Sequence, residues 1–591
     1  MNITNYLVYT IVTLITCTAY ADKLVTPFFM MRSQGVNAPR HMVGMVPHVF
    51  LLDHNTFYFD FAITPEYSRT FDPKNINACL FGCKTDCKII TISGSQVADR
   101  AATDWLADYF YLPTDFQSTI RFKPVIDNFI VDLQWFFGLD QCIKGLYFEL
   151  FAPVVHSRWD LNFCEQVINP GTNDYEPGYF NGNFDGIGRQ ELLNNFSEYA
   201  CGLSIIPTTT LQPVVFQSLD KARIKHKKSI RTRFADVRAN LGWNALLNEK
   251  GRLGLYVQVA APTGNKPEGD VFFESIVGNA YHWEIGAGIG GQYVGYHNEE
   301  TDATCGVYFN LTLTHLMEKK QTRTFDLQDK PFSRYMLAQK MTSDVEDLKG
   351  GPLAASAVVP SYQFDNQMAP LANLTTMEVE SKINLQTDLT IMLNHTHGDW
   401  SYDLGYNFWY RGCETIKRIV ECEPLHLGTW ALKGDAHVFG FRRDDNNAVA
   451  LSATENNATI TNGTNGSTPS TNPNIDNPQL AFADDDTQLD TTINSNTQIN
   501  TSINPILISA DDIALISARA HSSKIFFHIS HSWNKRTGWI PFFGLGGEVE
   551  FGHTGDNDAC KSNCVGSCTT TCLNCSVSQW GIWAKGGIAF E

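Results

Sequence analysis

Apolar and polar residues alternate over long stretches of this chain, which is the period of a β-strand with two different faces. At the C-terminal end, every second residue from Trp580 to Phe590 is apolar or small, whereas Lys585 and Glu591 belong to the opposite, mixed face. The same alternation occurs at 57–63, 129–135, 253–259, 283–292, 307–314, 385–394, 401–410, 525–533 and 539–551. We count about fourteen such segments, within a range of roughly twelve to sixteen, and the pattern predicts an all-β fold.

The connections between these segments indicate how the strands are arranged. Short polar turns, such as 248–251 and 534–538, join neighbouring segments into hairpins, while other connections are long. Aromatic residues cluster at segment ends, at Trp400, Trp409, Trp533, Trp539, Trp580 and Trp583. This combination predicts a transmembrane antiparallel β-barrel with long external loops, which must close because an open edge in lipid leaves backbone groups unpaired. A soluble β-sandwich is disfavoured, since the alternate face carries Gly, Ser, Asn and acidic residues rather than a second core.

Three segments lack the alternation and are predicted to be loop insertions in a single barrel domain that covers residues 22–591. They are 166–200, which is rich in Gly and Asn, 321–379, with a short helix at Ser333–Met341, and the low-complexity segment 444–505. Asn, Thr, Ser and Asp dominate the third segment, so it is not expected to bury a core.

The N-terminus has the features of an export signal. An apolar run from Leu7 to Ile15 leads into Ala19-Tyr20-Ala21, the small-x-small pattern of a cleavage site, which predicts a signal peptide at residues 1–21. A lipoprotein modified at Cys17 and a buried N-terminal strand are the alternatives. No apolar run of about 18 residues follows Ala21, so no helical anchor is predicted.

The cysteines form two clusters in polar surroundings, which predicts Cys-rich loops at 70–90 and 555–578. Export into an oxidising compartment favours disulfides over metal ligation, and only Cys572 and Cys575 have the spacing of a metal-binding knuckle. No metal site or cofactor is therefore predicted, and the pairing cannot be deduced from the spacing. The disulfide candidates are Cys79, Cys83, Cys87, Cys560, Cys564, Cys568, Cys572 and Cys575.

The charge distribution limits the partners and suggests where a pore would be lined. A net charge of −18 with 44 Lys and Arg residues argues against nucleic acid as a partner. The candidates for pore-lining residues are the basic Arg223, Lys225, Arg231 and Arg233 and the acidic Asp388, Asp403, Glu548 and Glu550. Basic residues that face the lumen would favour anions. At the rim they would hold lipid phosphates, and a solvated hairpin is a third interpretation.

Two short motifs contain residue types found in catalytic or metal sites. His395–Asp399 and His528–Ser530 each lack an identified third partner, so no catalytic residue is assigned and an enzyme is not expected. Asn-x-Ser/Thr triplets, for example at Asn195 and Asn373, raise the alternative of a glycoprotein, although a chain rich in Asn and Thr contains such triplets by chance.

The signal peptide, the hairpin series and the final strand Trp580–Phe590 together resemble bacterial outer-membrane β-barrels of the porin-like group, without a motif of one specific family. In that group the last strand typically ends in an aromatic residue, whereas here Phe590 is penultimate. The cysteine content is similar to that of the disulfide-rich chlamydial porins. The resemblance implies a protein in contact with outer-membrane lipid that allows passive diffusion of small hydrophilic solutes. The alternatives are an adhesin or structural barrel whose loops contact a host or neighbouring cell surface, and a plugged-lumen transporter of hydrophobic substrates.

Overall fold

The computed structural model describes residues 25–44, 58–183, 185–206, 213–248, 250–298, 300–342, 363–419, 428–442, 448–450, 454–463, 482–483, 506–533, 538–553 and 572–590. The predicted signal peptide, most of the low-complexity segment, and Cys560, Cys564 and Cys568 lie outside the described residues.

Twelve antiparallel strands form a closed barrel in which each strand pairs with its neighbours in sequence and the last strand pairs with the first. The strands are β1 (Tyr58–Thr70), β2 (Val125–Gly138), β3 (Leu146–Phe151), β4 (Val237–Asn248), β5 (Gly251–Ala261), β6 (Glu284–Asn298), β7 (Ala303–Arg323), β8 (Met377–His397), β9 (Trp400–Arg411), β10 (Ser517–Ser532), β11 (Ile540–Gly552) and β12 (Gln579–Phe590). The all-β barrel is confirmed. The wall has twelve strands, which is the lower limit of the predicted range of twelve to sixteen, so the central count of fourteen is not confirmed.

Short and long connections alternate around the barrel, as the hairpin pattern predicts. The short connections, which define the turn end, are 139–145, 249–250, 299–302, 398–399 and 533–539. The long connections, which define the opposite end, are 71–124, 152–236, 262–283, 324–376, 412–516 and 553–578. This alternation is the typical form of an outer-membrane barrel.

The described parts of the long connections fold together into what we call the cap. Its core contains Phe110, Phe196, Tyr199 and Tyr335, all of which are buried. One sheet joins Trp105–Leu106, Lys88–Ser93, Gln117–Phe122 and Cys164–Asn169, and a second joins Trp430–Leu432, Leu337–Thr342, Gln363–Pro370 and Val215–Phe216. Smaller pairings join Asp326–Leu327 to Ile513–Ala514, and Phe439–Arg442 to Ala448–Ala450 and Phe482–Ala483.

The remaining elements extend the barrel sheet or lie in the connections. Val154–Asp160 pairs with β2 and with Ser229–Phe234, Glu414–Arg418 pairs with β8, and Cys572–Asn574 pairs with β10. The α-helices are α1 (Ala38–Met42), α2 (Pro73–Phe81), α3 (Phe196–Ala200) and α4 (Leu371–Thr375). The 3₁₀ turns are Ala107–Phe110, Arg189–Glu191, Ser333–Tyr335 and Ala510–Asp512.

In two of the predicted loop insertions, the structure differs from what the sequence predicts. The helix predicted at Ser333–Met341 is a 3₁₀ turn followed by a strand, because Leu337–Thr342 pairs with two neighbouring strands of the cap. In the low-complexity segment, the described residues 454–463 do bury apolar side chains, since Ala458 and Ile460 belong to the core of the cap.

Two disulfides link three of the long connections, and one of their four cysteines was not a candidate. Cys79 on α2 is bonded to Cys575, and Cys413 is bonded to Cys572. Cys413 is isolated in the sequence, so its spacing gave no reason to select it. Among the described residues, no bond to Cys83 or Cys87 is present.

We expect the loss of these disulfides to loosen the cap and leave the barrel closed. Cys413→Ala with Cys572→Ala removes a crosslink between two long connections, and native disulfides are typically worth about 2–4 kcal/mol. Limited proteolysis should then cut within 412–419 or 553–578, while unboiled gel samples still show the fast-migrating folded barrel. Cys305→Ala, which removes an exposed unbonded thiol, is the control. Loss of the folded band in the double variant would show that the cap also supports the wall.

Candidate functional site in the barrel lumen

The two faces of the barrel wall differ sharply in polarity. On β5, the outward Leu255 and Val257 are 54% and 57% exposed, whereas the inward Tyr256 and Gln258 are buried. The same arrangement continues around the barrel, with exposed outward Leu241, Trp243, Ile285, Leu313, Leu393, Leu404, Phe527, Leu545 and Ile582. An apolar outer band and a polar interior are the pattern of a barrel embedded in lipid. No helix in the described ranges is long and apolar enough to span a membrane.

The lumen is occupied by the chain's own N-terminal residues 25–44, which we call the luminal segment. Its first part belongs to the cap, because Phe29 and Met30 lie in the cap core and the backbone N–H of Thr26 donates to the carbonyl of Cys79 at 3.1 Å. Its last part, at Val43, packs in an aromatic cluster formed by the inner faces of barrel strands. The segment therefore runs from the cap into the barrel interior.

Arg40 is the most strongly held residue of the luminal segment. Its guanidinium donates from Nη1 to Glu66 Oε2 at 2.6 Å and from Nε to Asp132 Oδ2 at 2.8 Å, and the side chain is 1% exposed. Lys585 of β12 donates from Nζ to the carbonyl of Arg40 at 2.9 Å. One arginine of the segment is thus tied to β1, β2 and β12, the strands at which the barrel closes.

A second buried arginine ties the luminal segment to the opposite wall. Arg32 donates from Nη2 to Asp388 Oδ2 at 2.6 Å and from Nη1 to Asn407 Oδ1 at 2.9 Å, with Glu550 Oε1 at 3.4 Å. Asn37, which also caps α1, donates to Glu548 Oε2 at 3.1 Å. The two arginines of the luminal segment are therefore both paired with carboxylates of the wall. Burial of such ion pairs costs solvation, and removal of one partner leaves an uncompensated charge.

An aromatic layer lines the wall on the turn side of these ion pairs. Tyr58, Phe136, Tyr147, Tyr256, Tyr308, Phe526, Phe542 and Trp583 form one buried cluster together with Val43 and Met392. Many of these rings lie over a glycine of the neighbouring strand. The pairs are Tyr58 with Gly138, Tyr147 with Gly242, Tyr256 with Gly288, Phe526 with Gly405, Trp583 with Gly546 and Phe542 with Gly587. A β-carbon at any of these glycines would overlap the ring, so the pairing explains why glycine recurs on the inner face.

A cavity remains between the luminal segment and the wall formed by β2 to β8. It has an empty volume of about 980 Å³, including the part open to solvent. Val36, Asn37 and His41 line it from the luminal segment, and Gly290 lines it from the wall. On β6 the inward positions 286, 288 and 290 are all glycine, so this part of the wall carries no side chains into the lumen.

Comparisons with known proteins give no closer assignment. No family model and no curated protein matches the chain. Similar solved structures include an outer membrane channel from Pseudomonas putida F1, with 9% identity, a TM-score of 0.30, and coverage of 92% of this chain and 99% of that chain. A Pseudomonas aeruginosa FadL homologue has 6% identity, a TM-score of 0.23, and coverage of 90% and 89%. The transport unit of the autotransporter AIDA-I from Escherichia coli has 8% identity, a TM-score of 0.21, and coverage of 95% and 100%. The predicted resemblance to bacterial outer-membrane β-barrels is confirmed in architecture by the closed barrel itself.

The acidic candidates from the sequence all lie on the inner wall. Asp388, Glu548 and Glu550 contact the luminal segment, and Asp403 is buried beside His528 Nδ1 at 3.2 Å. Lys524 lies between Glu548 and Glu550, with Nζ–O distances of 2.6 and 3.7 Å. Strand alternation was sufficient to place these carboxylates inside.

The basic candidates lie elsewhere. Arg223 and Lys225 are in the connection 152–236, and Arg231 and Arg233 are on Ser229–Phe234, a strand outside the twelve of the barrel. Arg231 pairs with Glu268 at 3.0 Å, with both side chains well exposed. The structure therefore does not place the two predicted sets on one wall, and a pore-lining role for these residues stays a prediction. In the described ranges, no group of three or more His, Cys, Asp or Glu is arranged for a metal ion.

Proposed function

We propose that this protein is an outer-membrane channel whose lumen is occupied by its own N-terminal segment, and that it conducts small hydrophilic solutes when this segment moves aside. The observation that carries the proposal is the pairing of Arg32 and Arg40 with buried wall carboxylates. A closed barrel with an apolar outer band supports membrane insertion, and a polar lumen supports hydrophilic solutes.

The proposal modifies the open porin expected from the sequence. With residues 25–44 inside the lumen, free diffusion requires a rearrangement, so the resting state is closed. A transporter of hydrophobic substrates is less favoured, because the wall beside the luminal segment carries Glu66, Asp132, Asp388, Glu548 and Glu550. The adhesin alternative concerns the outer surface of the cap and is independent of the contacts in the lumen.

Planar-bilayer recording of the wild type and of a variant that lacks residues 25–44 tests the proposal. We expect rare, small openings from the wild type and steady currents with a several-fold larger unit conductance from the deletion variant. Lys417→Ala is the control, because Lys417 is exposed and lies on Glu414–Arg418, outside the twelve strands of the wall. A deletion variant that folds, as judged by heat-modifiable gel mobility, but carries no current would refute the channel. Equal currents from wild type and deletion variant would refute the closed resting state.

The emptied channel is expected to prefer cations. Removal of the luminal segment takes away Arg32 and Arg40, whereas their carboxylate partners remain on the wall. Rings of acidic side chains lower the barrier for cations. Reversal potentials in a potassium chloride gradient should therefore have the sign of cation selectivity in the deletion variant. An anion-selective result would indicate that the basic residues of the connection 152–236 control the pore instead.

A further inference from the structure

We infer that the cavity beside the luminal segment is a binding site for a neutral, polyhydroxylated solute of saccharide type; this rests on the proposed function and specifies which hydrophilic solutes the channel takes. Three features of the cavity support this site: the missing side chain at Gly290, the hydrogen-bonding groups that remain open, and the engagement of the lining charges within the protein.

Gly290 has no structural reason to be glycine. Its backbone is not in the left-handed region, and a β-carbon there would meet only ordinary contacts, with Asn310 Nδ2 at 3.5 Å and Arg252 Nη2 at 3.6 Å. At Gly288, two residues away on the same face, a β-carbon would overlap the ring of Tyr256. Packing therefore explains the glycine at 288, whereas the effect of the glycine at 290 is to keep the cavity open.

The polar groups that line the cavity include both donors and acceptors. Asn240 donates from Nδ2 to Glu149 Oε2 at 2.9 Å, while its Oδ1 is buried without a partner among the described residues. Asn310 Oδ1 accepts from the Tyr256 hydroxyl at 2.9 Å. The amide Nδ2 of Asn310 is a donor with no partner in the described part of the chain. A hydroxyl group both donates and accepts, so a polyol satisfies both kinds of group at once.

Several charges that line the cavity are already engaged within the protein. Glu149 accepts from Asn240 Nδ2 at 2.9 Å, and Arg252 donates from Nη1 to Asn244 Oδ1 at 3.3 Å. Arg238 lies 3.4 Å from Glu284, and Asp388 is held by Arg32. A charged solute would have to compete with these pairs, whereas a neutral one leaves them intact. The rings of Tyr256 and Tyr308 also line the cavity and offer apolar faces to the C–H groups of a sugar.

Saturation-transfer NMR on the full-length, detergent-folded protein tests the inference, with maltose as the neutral probe and glucuronic acid and glucosamine as charged probes. We expect maltose to bind with a Kd on the order of 1 mM, since few hydrogen bonds are available, and the charged sugars to bind more weakly. Gly290→Leu fills the cavity and should weaken maltose binding at least tenfold. Gly295→Leu, at an exposed position of the same strand, should leave it unchanged.

Asn310→Leu provides a second variant, because it removes the open donor at nearly constant side-chain size, while Thr312 Oγ1 at 2.5 Å remains a partner for the Tyr256 hydroxyl. It should weaken maltose binding severalfold even if Gly290→Leu does not fold. The deletion of residues 25–44, which removes one wall of the cavity, should weaken binding as well. Tighter binding of a charged sugar, no binding of any probe, or equal binding in the Gly290→Leu and Gly295→Leu variants would overturn the inference. In those cases we would still expect bilayer currents from the deletion variant. The bilayer recordings therefore test the channel independently of the saccharide site.

Discussion

Gly587→Val is expected to prevent closure of the barrel, whereas Gly586→Val at the adjacent position is expected to be tolerated. Gly587 faces the lumen on β12, where a β-carbon would overlap both the ring of Phe542 on β11 and the carbonyl oxygen of Phe61 on β1. β12 joins these two strands, so a shift that relieves the overlap also disturbs the pairing that closes the wall. The expected cost is about 3 kcal/mol or more, at the upper end for overpacked sites.

Gly586 provides a matched control one residue away. A β-carbon there would point outward, with its nearest contacts at 3.5 Å to Phe543 and 3.7 Å to the carbonyl of Phe542. The fraction of unboiled protein that migrates as a folded barrel should therefore fall at least tenfold for Gly587→Val and stay near the wild-type value for Gly586→Val. Equal folded fractions in the two variants would contradict the register of β12 between β11 and β1.

Arg40→Met is expected to release the luminal segment while the barrel stays folded. The substitution keeps most of the side-chain volume, but it leaves Glu66 buried without its cation and leaves Asp132 with only the His41 ring at 2.9 Å. Removal of one partner from a buried ion pair typically costs about 3–5 kcal/mol. Because about 1.4 kcal/mol corresponds to a tenfold change, the open fraction in bilayer recordings should rise by roughly a hundredfold or more.

Two further variants separate this effect from a general loss of charge. Lys417→Met removes an exposed pair with Glu318 at 3.3 Å, for which about 1 kcal/mol or less is expected, and it should not open the channel. Adding Glu66→Gln and Asp132→Asn to Arg40→Met removes the stranded carboxylates and should restore much of the closed state. Wild-type currents from Arg40→Met, or no restoration by the added substitutions, would contradict the role assigned to the buried pair.

The barrel wall was largely predictable because strand alternation is a local signal. Each of the ten alternating segments named in the sequence overlaps a barrel strand. β4 also alternates cleanly, with Val237, Ala239 and Leu241 opposite Arg238 and Asn240, although it is not among the segments named in the sequence. β3 is short and apolar at most positions, so alternation does not reveal it.

The luminal segment was not predictable in the same way, because nothing in its own sequence is periodic. Arg32 and Arg40 acquire their roles from carboxylates at distant positions, such as Asp388 and Asp132, that meet only when the barrel closes. Alternation likewise cannot distinguish a wall strand from a strand of the cap. Arg231 and Arg233 were therefore candidates for the pore although they lie on Ser229–Phe234.

Photo-crosslinking from Met42 tests most directly the central claim that the N-terminal segment lies inside the barrel. Met42 packs against the aromatic layer, and a photoactivatable methionine analogue keeps its size. In protein assembled in lipid, irradiation should yield crosslinked peptides that join Met42 to barrel strands such as β2 and β3. Met392 of the same cluster, incorporated in the same experiment, serves as an internal control for a residue on the wall. Crosslinks from Met392 to neighbouring strands, with Met42 joined only to lipid or to other molecules, would show that the lumen is not occupied by this segment.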